Sequence, residues 1–189
     1  IASVRAKTKG AEGTEDVLDR IQGTIAEALR GAGLRGGDLA GIGVGCPGPL
    51  DLDRGIILHA PNLGWHDVPL KATLEKRFKC PTVIINDVDA GTYGEFRFGA
   101  ARGARCVLGV FPGTGIGGAC VYEGRIIRGR TGSCMEIGHI RTEAEGRLCG
   151  CGRRGCLESV ASRLAISAEA AAAVYRGEAP TLKRLAGTD

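Results

Sequence analysis

The chain has 189 residues, enough for one full domain or one and a half. With 43% hydrophobic and 24% charged residues it has the composition of an ordinary globular protein, and no apolar run approaches the roughly 18 residues of a membrane span. The net charge is +4, with the basic residues scattered among acidic ones, so the clustered basic face of a nucleic-acid-binding protein is excluded.

The sequence opens IASVRAKT, without Met and without a signal peptide, and reads as if it begins partway into a strand. Glu15 to Gly33 carries an apolar helical stripe at Val17, Leu18, Ile21, Ile25 and Leu29, closed by Gly31 and Gly33. LAGIGVGCPGPLD (39–51) reads as a short buried strand ending in a tight turn at Gly45 to Pro49. Arg54 to Leu63 is extended, and Asp67 caps a helix through Phe78 with Pro69 in its first turn. TVIIND (82–87) is a continuous apolar strand ending in two polar residues, followed by a helix over Ala90 to Gly99. Residues 105–129 read as strand, glycine loop, strand, turn, strand, and Leu157 to Arg176 as an alanine-rich helix. Strand–helix alternation with polar residues at strand ends is the α/β pattern, and ligands of such sheets bind at the carboxyl ends of the strands. The alternation gives way to hairpins near Phe111–Pro112, which places a domain boundary there, between 1–111 and 112–189.

Eight cysteines are present. Cys46, Cys80, Cys106 and Cys120 sit in or beside apolar strand-like runs, as buried free thiols do; that usage fits a reducing, cytoplasmic setting. Three of the others follow a histidine closely: His139, nine residues, Cys149, one residue, Cys151, four residues, Cys156. One His and three Cys form the donor set of a closed, tetrahedral structural zinc site. Glycines 150, 152 and 155 allow the sharp turns that would bring the sulfurs round one ion. Disulfides or free thiols are the alternatives.

Gly113, Gly115 and Gly118 satisfy G-x-G-x-x-G, but the segment that follows, ACVYEGRII, is strand-like, and a dinucleotide fingerprint needs a helix there. A glycine turn between strands can still aim N–H groups at phosphate oxygens, with the Thr114 hydroxyl as a further donor; a plain hairpin turn is the simpler reading. Asp87, at the mouth of the sheet, is placed to take a proton from a substrate hydroxyl. Asn86 beside it can hydrogen-bond sugar hydroxyls as donor and acceptor. Both, with Asp89, are equally candidates for a helix N-cap.

Six pieces, in order, carry a family resemblance: GIGVGCPGPLD (41–51), HAPNLGW (59–65), INDVDAGTYGE (85–95), PGTGIGG (112–118), EIGHI (136–140) and CGCGRRGCLES (149–159). The chain resembles the ROK family of repressors, open reading frames and kinases, whose kinases include glucokinases and N-acetylmannosamine kinases. The resemblance implies an α/β, actin-like ATPase (ribonuclease H-like) fold of two lobes, incomplete at both ends here. It implies Asp87 as catalytic base; Asn86, Glu136, His139 and Glu158 as sugar ligands; Gly48 and Asn62 lining the same pocket; and Gly113, Thr114 and Gly115 holding the phosphates of ATP with Mg. Structural zinc would sit on His139, Cys149, Cys151 and Cys156. One imidazole nitrogen of His139 would bind the metal while the other faces the sugar, the metal fixing tautomer and ring plane.

The implied activity is phosphorylation of a hexose, glucose first, at a hydroxyl expected to be O6, by a cytoplasmic homo-oligomer, dimer or tetramer. The alternatives are the family's sugar-responsive repressors, which need a helix-turn-helix before residue 1, and a catalytically inactive sugar-binding protein. The sequence departs from the family's kinases in four places. Their opening Asp-x-Gly-x-Thr phosphate motif is not in it, and they continue well beyond Asp189. Gly91-Thr92-Tyr93 stands where relatives carry small apolar residues, and Ser133-Cys134-Met135 replaces the small residues usual before the Glu136 motif.

Overall fold

The computed structural model describes residues 1–8, 13–60, 63–130, 132 and 134–186. They form two compact units, Ile1–Ala90 and Gly91–Asp189.

In the first unit, helix α1 (Thr14–Gly31) turns the stripe predicted for it inward, with Val17 fully buried. Strand β1 (Ile42–Cys46) pairs in parallel with β5 (Thr82–Asn86), from Ile42 opposite Thr82 to Cys46 opposite Asn86. Between them in sequence lie an antiparallel sheet of β2 (Leu50–Asp51), β3 (Ile56–Ala60) and β4 (Trp65–Val68), and helix α2 (Leu70–Phe78). Ile57, Trp65, Leu70, Leu74, Phe78 and Ile84 close one apolar cluster, with Val17 against them. The parallel pair is covered on one face only: Thr82 and Ile84 are buried while Val83 between them is 65% exposed, as the two-residue period of a strand requires.

The start of α2 differs from the expectation. Pro69 is the residue that precedes the helix and Asp67 makes no cap; Asp67 lies in β4 with φ +50, a left-handed conformation that Asp tolerates. The cap is lost because β4 runs on to Val68, and Pro69 then enters the helix directly.

Helix α3 (Asp87–Phe98) begins immediately after β5, three residues earlier than its sequence pattern suggests, and runs across the division between the units. In the second unit β6 (Cys106–Pro112), β7 (Ile116–Tyr122) and β8 (Arg125–Ile126) form an antiparallel meander. Pro112 pairs with Ile116, leaving Gly113–Gly115 as the turn. The glycine at position 91 has a packing reason. A Cβ there would lie 2.8 Å from the Phe111 ring, so the absent side chain admits the aromatic. On the other face of β6, Leu108 and Val110 are about 60% exposed. Cys106 shares that uncovered face and is exposed too, against expectation; Cys46 and Cys80 are buried as expected, and Cys120 is half-buried. All eight cysteines are free thiols.

The alanine-rich helix is broken into α4 (Glu158–Ala161) and α5 (Arg163–Tyr175), followed by α6 (Pro180–Ala186). The break is Ser162, whose buried hydroxyl accepts the Ala165 N–H at 3.1 Å and so caps α5. No described helix is long and apolar enough to cross a membrane.

Gly48 shows why the turn after β1 needs a glycine. Its φ is +87, and a Cβ would lie 2.0 Å from the backbone oxygen of His59. Both effects oppose any side chain, and strain of this kind costs about 1–3 kcal/mol before the clash is counted. Gly48→Ala is expected to lower the unfolding free energy by at least that amount in urea titration; an unchanged midpoint would refute the close approach.

Candidate functional site

The first unit contributes the end of β5. Asn86 caps α3: its side-chain oxygen accepts the N–H groups of Val88 at 2.9 Å and Asp89 at 3.2 Å. The capping alternative is therefore realised by Asn86. The Asp87 carboxylate accepts only the neighbouring Val88 N–H, at 3.0 Å, among its described contacts, and lies exposed at the carboxyl end of the strand. Next to it on β1, the Cys46 thiol donates to the Ile85 carbonyl at 3.5 Å. Burial pushes this thiol up to about 11, partly offset by that hydrogen bond and reinforced by the Asp87 charge. A neutral sulfur thus flanks the carboxylate at neutral pH.

The second unit contributes three segments. The glycine turn is closed by the Gly113 N–H on the Gly115 carbonyl, at 2.8 Å, and strand β7 follows it. A strand and not a helix follows the turn in the chain, so the dinucleotide reading fails as expected. Thr114 is exposed at its tip.

Glu136 is the central residue of an inverse γ-turn, with φ −71 and ψ 57 and the Ile137 N–H on the Met135 carbonyl at 2.7 Å. Met135 before it has φ +58, a strained conformation of the sort kept where a neighbouring side chain must be aimed. The 3-10 turn Ile137–His139 then packs on β7, where Gly138 sits against the Ile116 carbonyl.

The loop from Arg141 to Leu157 is tied by its own backbone. Thr142 N–H donates to the Gly155 carbonyl at 2.7 Å, Cys149 N–H to Arg153 at 2.7 Å and Leu157 N–H to Ile140 at 2.9 Å. Gly155 makes this possible: its φ is +77, and a Cβ would collide with the Glu143 carbonyl. Gly152 also has positive φ, whereas Gly150, expected to share that role, does not.

The result is that His139, Cys149, Cys151 and Cys156 bring one ligand atom each within 4.8 Å of all the others. Metal–ligand bonds of about 2.0–2.3 Å give tetrahedral edges of about 3.5–3.8 Å. The His139 Nδ1 to Cys149 Sγ distance is 3.6 Å and the Cys151 to Cys156 sulfur distance is 3.7 Å. These edges and the donor set fit a zinc ion. Nδ1 is the nitrogen on the cluster side, which leaves Nε2 for another partner.

The thiols are unequal. Burial pushes Cys149 up to about 12. Hydrogen bonding to Arg153, through main chain and side chain, holds the exposed Cys151 down at about 6.

Glu158 joins this cluster to the glycine turn. One carboxylate oxygen lies 3.0 Å from Cys149 Sγ and 3.6 Å from His139 Nδ1. The other accepts the Ile116 N–H at 3.3 Å. That link spans 42 residues and uses a main-chain amide, so nothing in the sequence announces it. Of the residues singled out from sequence, His139, Cys149, Cys151, Cys156 and Glu158 are thus brought together, with Gly113–Gly115 against Glu158. Gly48, Asn86 and Asp87 belong to the first unit. Asn62 and Ser133 lie outside the described residues.

The profile of the ROK family matches residues 2–188. A glucokinase of Halalkalibacterium halodurans is 41% identical over 161 residues, which are 85% of this chain and 49% of the relative. A xylose repressor of Bacillus subtilis is 38% identical over 128 residues, 68% of this chain and 33% of the relative. The crystal structure of a ROK family glucokinase from Streptomyces griseus, in complex with glucose and AMPPNP, superposes with a TM-score of 0.82 at 36% identity, covering 98% of this chain and 58% of that one. The fold is therefore the actin-like α/β fold of those kinases, and the chain spans about half the length of the curated relatives it matches.

The unequal thiols give a direct test of the cluster. In metal-free protein at pH 7, above the value of about 6 for Cys151 and far below about 12 for Cys149, iodoacetamide should modify Cys151 well before Cys149 or Cys156. Added zinc should suppress that reaction. Peptide mass spectrometry showing equal labelling, or labelling indifferent to zinc, would contradict the geometry.

Proposed function

The chain belongs to the ROK family, and from that premise we propose that it carries the sugar-binding and proton-abstracting part of an ATP-dependent hexose kinase, with glucose the first substrate to test. The observation that carries this reading is the Asn86–Asp87 pair: the asparagine oxygen is consumed by the helix cap while the aspartate stands exposed at the strand end. A base held by its backbone and left open to solvent suits proton abstraction from a bound hydroxyl.

In the proposed site, Glu136, His139 and Glu158 hydrogen-bond the hexose, with Asn86 and the segment of Gly48 and Asn62 completing its surroundings. Asp87 accepts the proton of the attacking hydroxyl, expected to be O6, as it meets the γ-phosphate of ATP with Mg. Gly113, Thr114 and Gly115 steady the phosphates. Zinc, when bound by His139, Cys149, Cys151 and Cys156, supplies structural cross-linking. Nδ1 of His139 then serves the metal and Nε2 the sugar, so one ring joins scaffold and substrate. Residues 1–111 and 112–189 would contribute to the two lobes of the kinase, a cytoplasmic homo-oligomer. The repressor reading is kept by the likeness to the xylose repressor of Bacillus subtilis; Asp87 favours the kinase, because a sugar sensor has no need of a general base.

An ATP-dependent assay of the intact protein over a panel of hexoses distinguishes the readings, and absence of turnover on every sugar would remove the kinase. Asp87→Asn should lower turnover about 10²–10⁴-fold, the usual share of a general base, with sugar affinity by calorimetry nearly unchanged; lost binding with near-normal single-turnover rates would mean the role is misassigned. Metal analysis of the purified protein should find one zinc per chain. Its removal by chelation, or Cys151→Ser, should lower both melting temperature and sugar affinity; zinc-free protein of full stability would exclude the site.

A further inference from the structure

Glu158 is placed to do more than meet a sugar. It begins α4, two residues after the last cysteine of the cluster, and its side chain is only 20% exposed. Its two oxygens have different partners. One points at Cys149 Sγ and His139 Nδ1; the other reaches the first amide after the glycine turn. The approach is close: a Cβ on Gly115 would lie 2.4 Å from that second oxygen. The other end of the turn is tied to the same helical segment, because the Arg163 N–H at the start of α5 donates to the Gly113 carbonyl at 2.9 Å. The turn is therefore held at both ends by residues that follow the cysteine loop, and one of those holds is a side chain that also touches the cluster.

We propose that Glu158 is a positioning residue for the Gly113–Gly115 turn, transmitting the state of the Cys–His cluster to the backbone groups that face the phosphates. The inference rests on the reading of that turn as the phosphate loop and of the cluster as a zinc site, and it adds a coupling between them. A carboxylate bound at one oxygen to a main-chain amide can rotate little without breaking that bond. Whatever fixes the first oxygen thereby fixes the turn. Closing the cluster around its ion shifts Cys149 and His139 relative to the carboxylate and so reaches Ile116 through a single side chain. The coupling is reciprocal by thermodynamic necessity: a perturbed turn must weaken the hold on the ion.

The test is amide hydrogen exchange at Ile116 in zinc-loaded protein, together with zinc retention against a competing chelator. Glu158→Ala should speed Ile116 exchange about tenfold, the equilibrium worth of one hydrogen bond. Glu158→Gln keeps an acceptor oxygen at the same reach and should restore most of the protection. Stripping zinc from the wild type should also speed exchange there. Gly115→Ala, a change in the turn alone, should make the cluster release zinc faster. Unaltered Ile116 protection in Glu158→Ala, whether or not that variant keeps its metal, overturns the proposal, as does a Gly115→Ala protein with wild-type zinc retention. Neither readout uses turnover. A chain that proves inactive as a kinase leaves the test intact, and a lost activity with unchanged exchange counts against the coupling alone.

Discussion

Three sulfurs and an imidazole nitrogen within 4.8 Å of one another are the constraint on which the second unit depends. That unit has little apolar material to hold it. Its buried hydrophobic side chains are Ile116, Ala119, Val121, Cys149 and Cys156 among the described residues, and two of these five are members of the donor set. Helix α5 buries none of its residues. A cross-link adds most where the core is so thin, and a tetrahedral ion held by the four ligand residues would supply one. The backbone ties of the loop, and the positive φ of Gly155 that permits them, serve this closure. The directions of His139 and Glu158 follow from it.

The first unit is stabilised differently. It has a continuous apolar cluster, and the residues proposed for its chemistry lie where β5 ends and α3 begins. There the controlling factor is the demand of a helix N-terminus for hydrogen-bond acceptors. Asn86 meets that demand, and the burial of Cys46 keeps its sulfur uncharged beside Asp87. One unit thus orients its polar groups by main-chain hydrogen bonding and the other by a cluster of ligand atoms.

Most of this was legible in the residue pattern. The His–Cys spacing identified the cluster because soft donors so close in sequence have few other arrangements. The strand after the glycine turn was legible from the apolar residues on either side of Glu123-Gly124, and with it the failure of the dinucleotide fingerprint. What was hidden had physical reasons. Alanine at so many positions of 157–176 masked the break at Ser162, whose cap outweighs the propensity of its neighbours. Asp67 looked like a cap, but β4 claims it. Cys106 lies on an apolar strand yet is exposed, because periodicity tells which residues share a face and not whether anything covers it. The contact of Glu158 with Ile116 uses a main-chain amide, and every residue has one. The reason for glycine at 91 was hidden too, because the ring of Phe111 that takes the place of a side chain lies twenty residues on in sequence.

The cap made by Asn86 bears on stereochemistry. With its oxygen engaged by two amides, the amide group of that side chain can only donate toward solvent. A hydroxyl bound there must receive at its oxygen lone pair and turn its own hydrogen elsewhere, and the adjacent carboxylate of Asp87 is the acceptor at hand. In the proposed role, the pair would impose a polarity on a bound hydroxyl, with the O–H bond pointed at Asp87 before any proton moves. A methyl ether at the same position would satisfy the asparagine and leave the aspartate with nothing to take.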